Sequence, residues 1–136
     1  MTQISKNEMK KLLKDTKTIA IVGLSSKSER PSYGVAEYLQ NYGYKIYPVN
    51  PAETEVLGEK SYPDLKSLPV IPDLVNVFRK SETVLPIVDE AIEIGVKFIW
   101  FQLGVINDEA IKKSQDNNIN VVVDKCLAVE HRLLGL

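Results

Sequence analysis

Apolar residues along this chain fall into two kinds of pattern, short unbroken runs and longer stretches in which they recur every three or four positions. The runs are Thr18–Gly23, Tyr44–Val49, Asp73–Phe78, Lys97–Phe101 and Val121–Val123. They are rich in β-branched residues and lack alternation, which suits strands buried on both faces, as in a parallel sheet. Between them, helical spacing appears at Met9, Leu12 and Leu13, again at Val35, Ala36 and Leu39, and again at Ala110 and Ile111 next to Ile106.

Local signals set the element ends. Ser5-Lys6-Asn7-Glu8 reads as a capping box at the start of a first helix, which Asp15-Thr16-Lys17 ends. Ser32 is the expected N-cap of the second helix, and Gly43 stands where a left-handed residue closes it. A helix from about Thr83 accommodates Pro86 in its first turn and stops at Gly95. Another opens at Asn107, and a short closing helix spans Leu127 to Leu134. The proline-rich stretch from Pro51 to Pro72 is less regular, with one short edge strand expected near Val56. Strand and helix alternate throughout. The expected fold is therefore α/β, a Rossmann-like three-layer α/β/α arrangement around a mostly parallel five- or six-stranded sheet, with residues 1–136 forming one domain.

Composition narrows the class. With 136 residues, 44% hydrophobic, the chain needs no staple to build a core. A formal net charge of −1 gives no electrostatic case for nucleic acid or a membrane surface. The N-terminus carries no apolar leader and no run approaches the ~18 residues of a membrane span, so a cytoplasmic protein is expected. Cys126 is the single cysteine, which excludes an intramolecular disulfide.

In open α/β sheets, ligands bind beyond the carboxyl ends of the strands. That rule selects Gly23–Ser32, Asn50-Pro51, Phe78-Arg79-Lys80, Gln102-Leu103-Gly104 and Asp124-Lys125-Cys126. In the first segment Gly23 permits a tight turn, Ser25, Ser26, Ser28 and Ser32 offer hydroxyls, and Lys27 and Arg30 add charge beside a helix N-terminus, the elements of a phosphate site. An ordinary polar loop has the same composition. Arg79 either grips a phosphate or pairs with Glu82 or Asp108; Gly104 either lines the crevice or only makes a turn. No G-x-G-x-x-G or P-loop motif occurs. The second strand ends in Asn50-Pro51, where an NAD site would carry an acid, which favours an NADP-like or CoA-like ligand. His131 reads as a surface or packing residue, Trp100 as core, and Asp89, Glu90 and Glu93 as a solvated helix face.

The blocks Ile21-Val22-Gly23-Leu24-Ser25, Arg30-Pro31-Ser32-Tyr33, Gly43-Tyr44, Pro48-Val49-Asn50-Pro51, Val77-Phe78-Arg79, Trp100-Phe101-Gln102-Leu103-Gly104-Val105 and Asp124-Lys125-Cys126 resemble the small stand-alone CoA-binding domain proteins of bacteria. These are similar to the N-terminal CoA-binding domain of the succinyl-CoA synthetase α subunit. The resemblance covers about residues 9–134. It implies that Gly23, Ser25, Arg30, Ser32, Asn50, Pro51, Phe78, Arg79, Gln102 and Gly104, with Lys27 from the turn itself, hold the adenosine diphosphate of coenzyme A or an acyl-CoA. The synthetase's second domain, with its phosphorylated histidine, has no counterpart here, so His131 does not inherit that role.

Two functions follow. One is a CoA-binding module without catalysis of its own, acting alone or beside an enzyme partner. The other is an NADP-linked or CoA-transferring enzyme that works with a partner. A narrower expectation concerns Cys126: beside Lys125, its thiolate could exchange disulfides with CoA, whereas a packed, inert thiol is the ordinary fate of a single cysteine.

Overall fold

In a computed structural model, which describes residues 4–136, five strands form one parallel sheet: β1 (Thr18–Val22), β2 (Lys45–Val49), β5 (Leu74–Val77), β6 (Phe98–Phe101) and β7 (Asn120–Val123). Their spatial order is β2-β1-β5-β6-β7, so the chain starts near the middle, builds outward to one edge, and then crosses back to build the other. The switch point lies between β1 and β5.

Alternation within each buried strand feeds two different cores. Ile19, Ile21, Ile46, Leu74, Trp100 and Val122 point toward α1 (Lys6–Asp15), α2 (Pro31–Asn41) and α5 (Leu127–Leu133). Ala20, Val22, Val75, Val77, Ile99 and Val121 point toward α3 (Leu85–Ile94) and α4 (Asp108–Asp116). Trp100 is fully buried and donates its indole N–H to the Lys125 carbonyl at 2.8 Å. Three layers result.

The capping box at Ser5 and Glu8 is formed, and Asn107 caps α4 by accepting the Ala110 N–H. Gly43 and Gly95 both follow helix ends with left-handed backbones. Four boundaries differ from expectation. Ser32 is not a cap: Arg30 holds the N-cap position of α2, Pro31 opens the helix, and Ser32 lies buried in its first turn. The stretch at Thr83 is a 3₁₀ turn, Ser81–Thr83, and α3 begins at Leu85 with Pro86 in its first turn. Ile106 precedes α4 and is half-exposed instead of joining the apolar face. Val56 belongs to no edge of the main sheet; β3 (Glu55–Val56) pairs antiparallel with β4 (Glu59–Lys60) as a separate hairpin, leaving the main sheet with five strands. The acidic face of α3 is also less bare than its sequence suggests. Asp89 pairs with Lys113 and Glu93 with Lys66, while burial pushes the half-buried Glu90 carboxyl up.

Candidate functional site

Parallel register brings the strand ends into a single row. Val49 lies beside Val22, Val22 beside Val77, Val77 beside Phe101, and Phe101 beside Val123. The residue after each therefore forms a rim: Asn50, Gly23, Phe78, Gln102 and Asp124. Above the switch point this rim opens into a cleft of about 740 Å³. Gly23, Ser25, Lys27, Arg30, Ser32, Asn50, Phe78, Arg79 and Gln102 all line it.

Gly23 sits at the bottom, with a φ of +88°. Its N–H bonds the Val49 carbonyl at 2.8 Å and the Phe78 N–H bonds the Val22 carbonyl, so the chain is held tightly on both sides. The Arg79 side chain runs close over this glycine. No carboxylate pairs with Arg79, Arg30 or Lys80 among the described residues, so Glu82 and Asp108 leave Arg79 free. The α2 N-terminus has no side-chain cap. Its open N–H groups carry the positive end of the helix dipole into the cleft.

The turn between β1 and α2 is tied by three successive N–H groups. Ser25 N–H donates to Ser32 Oγ at 3.1 Å, Ser26 N–H to Glu53 Oε2 at 2.8 Å, and Lys27 N–H to Ser25 Oγ at 3.1 Å. Asn50, buried at the rim, fastens this turn to the next loop: its amide donates to the Leu24 carbonyl and its oxygen accepts the Ala52 N–H. At the opposite lip, Gln102 Oε1 accepts from both Asn76 Nδ2 (3.2 Å) and the Leu127 N–H (3.3 Å). Those two donors fix the amide so that Gln102 Nε2 is left without a protein acceptor among the described residues. The Asn76 side-chain oxygen is buried and has no partner among the described residues.

Three expected residues stand apart from this cleft. Pro51 lines a smaller adjoining cavity of about 400 Å³, whose wall also includes Arg79. Gly104 is a turn residue: its N–H donates to Asp124 Oδ1 at 2.7 Å and its carbonyl accepts from Ser81. Cys126 is half-buried at the N-cap of α5 and packs against the α1–α2–α5 core. His131 is a packing residue, buried beneath Tyr38, Tyr42 and Tyr44.

Lys80 and Leu103, within the selected strand-end segments but given no role there, also line the cleft, and sequence reasoning missed Thr83 and above all Glu53. The acid sought at the end of β2 is present, three residues past Asn50, and it reaches the cleft. Hydrogen bonds from Ser26, helped by Lys27, hold its carboxyl below the usual range. A wider search past the strand end would have found it.

Fold and cleft together define a doubly wound, Rossmann-like α/β domain with a cation-rich crevice at its switch point. Residues 17–132 match the CoA binding domain family, and the chain belongs to it. It is 39% identical over 131 residues to the uncharacterized protein YneT of Bacillus subtilis, covering 96% of this chain and 97% of that one. The structure superposes on a hypothetical protein from Pyrococcus horikoshii OT3 with a TM-score of 0.95 at 37% identity, covering 98% and 94% of the two chains. An 80-residue stretch is 38% identical to the α subunit of the ADP-forming acetate–CoA ligase II of Pyrococcus furiosus, covering 58% of this chain but 18% of that subunit.

Proposed function

We propose that this protein binds coenzyme A or an acyl-CoA through the phosphorylated adenosine moiety, at the carboxyl edge of the sheet, without catalysis of its own. One observation carries the reading. Lys27, Arg30, Arg79 and Lys80 line one cleft with a single carboxylate among them, Glu53, which is already tied to Ser26. Such an excess of positive charge around an uncapped helix end suits a polyphosphate. CoA, like NADP, carries one phosphate more than NAD, so the charge balance favours CoA over NAD. Membership of the CoA binding domain family supports the same ligand, as does the likeness to an acetate–CoA ligase subunit. By that likeness, an enzyme that acts on the thioester is the natural partner, and the cytoplasm the natural place. Gly23, Ser25, Lys27, Arg30, Ser32, Phe78, Arg79 and Gln102 are the residues assigned to the ligand, with Asn50 bracing the turn beneath it.

Thermal denaturation with CoA, acetyl-CoA, NAD and NADP tests the assignment. Ligand at ~100 times its dissociation constant adds about 2.7 kcal/mol to stability. A clear upward shift is expected with CoA and acetyl-CoA. A melt raised by NAD or NADP and unmoved by CoA would overturn it.

A further inference from the structure

The β1–α2 turn already holds oxygen on three consecutive N–H groups, and only one of those oxygens carries charge. Ser25 and Lys27 bond hydroxyls that belong to the turn and to α2, whereas Ser26 bonds a carboxylate brought in from the loop after β2. That carboxylate, on Glu53, lines the same cleft as Lys27 and Arg30. A ligand phosphate seated on this turn would need the same N–H and the same cations. A carboxylate and a phosphate within hydrogen-bond reach of one donor repel each other, so the two are alternatives.

We propose that Glu53 sets the phosphate affinity of this cleft: its carboxylate stands on the Ser26 N–H in place of a ligand phosphate and is displaced when one binds. The inference rests on the reading that the cleft takes a phosphorylated ligand, and it adds which residue limits how tightly. The low proton affinity of the Glu53 carboxyl, set chiefly by Ser26, agrees with a group kept charged on that donor. Displacement also releases the loop from Asn50 onward at one of its anchors. The loop's tie to the turn through Asn50 and Leu24 remains, as do the bonds that join it to Ser61 and Tyr62.

Glu53→Gln and Glu53→Ala separate the charge from the side chain. Both are titrated with inorganic pyrophosphate, dephospho-CoA and CoA, beside the parent protein, while the Ser26 amide resonance is followed by NMR. The expected result is an affinity gain of about tenfold for all three ligands in both variants. The gain shrinks at high salt, where charges are screened. The Ser26 amide should shift on ligand addition in parent and variants alike. No gain with pyrophosphate, or a loss of CoA affinity in Glu53→Gln, overturns the inference, since the carboxylate would then be inert or a direct ligand contact. Failure of CoA and dephospho-CoA to bind any form, with the pyrophosphate gain intact, would overturn the CoA assignment and leave the role of Glu53 standing.

Discussion

A methyl group on Gly23 would stand 2.0 Å from the carbonyl oxygen of Phe78, which makes these two residues the tightest backbone approach beneath the cleft. Phe78 cannot retreat, because its N–H is bonded to Val22 and its strand is paired with β1. Gly23 also has a φ of +88°, where any side chain is strained. Gly23→Ala is therefore expected to destabilise the fold by about 3 kcal/mol or more, combining backbone strain with a clash against main chain. Urea denaturation measures it. A loss below about 1 kcal/mol would show that the turn rearranges instead.

The cleft cations make a second case. Arg30 and Arg79 have no ion-pair partner among the described residues; Arg30 ends the turn itself, and Arg79 reaches the cleft from the segment after β5. Replacing either with alanine removes a charge-assisted contact worth about 1.5–3 kcal/mol, or roughly ten- to hundred-fold in CoA affinity. Calorimetric titration should find both variants weakened with their melting temperatures little changed, because neither side chain supports the core. Two variants that bind CoA like the parent would move the ligand elsewhere.

Why the sequence made so much of this site legible lies in the parallel register. All five strands end at one edge, so the residue after each apolar run is bound to meet the others there. Gly23, Asn50, Phe78 and Gln102 are thus found from the runs alone. Glu53 is different. Its contact with Ser26 spans 27 positions and depends on how the loop after β2 folds back, which no local period records. The β3–β4 hairpin escaped for a related reason: two-residue strands are too short to show alternation. Ser32 shows the third limit. A serine before a helical pattern signals a cap, yet Arg30 takes that position and Pro31 starts the helix two residues earlier than expected, and the hydroxyl turns back to hold Ser25.

The orientation of Gln102 has a direct consequence. With Oε1 occupied by Asn76 and Leu127, the cleft receives the amide N–H₂, a donor suited to phosphate or carbonyl oxygen. Gln102→Glu keeps the acceptor for both donors but offers oxygen to the ligand, and CoA affinity is expected to fall about tenfold or more through repulsion. Gln102→Leu instead strands the Leu127 N–H and leaves the Asn76 amide with the Trp100 carbonyl as its remaining acceptor, at about 1–3 kcal/mol of stability for the buried N–H left unpaired. Binding and melting measured on both variants separate the roles. A Gln102→Glu protein that binds CoA as well as the parent would mean that the amide does not face the ligand.

His131 gives a pH dependence whose source can be isolated, because it is the chain's one histidine. It is 2% exposed, shares a 2.8 Å hydrogen bond through Nδ1 with the Tyr38 hydroxyl, and meets three tyrosine rings edge-on. Burial holds its pKa below the ordinary value. Among the described residues, the cavity beside it is lined by Lys10, Lys14, Lys17 and Lys45 together with Leu136 and by no Asp or Glu, and Arg132 lies over the Tyr38 ring. With the folded pKa depressed, the unfolded chain takes up the proton first. The stability owed to neutral burial is thus complete above the unfolded value, about 6.5, and is lost as pH falls from there toward the folded value. The slope can reach about 1.4 kcal/mol per pH unit for one proton. Ordinary carboxylates titrate lower, and the raised Glu90 carboxyl is common to parent and variant, so the difference between their stabilities from about pH 7.5 to 5.5 reads His131. The parent should weaken across that range, and His131→Asn, which keeps a polar partner for Tyr38 but cannot titrate, should be flatter even if less stable at neutral pH. Parallel pH profiles for the two proteins would show that His131 is protonated as readily in the fold as outside it.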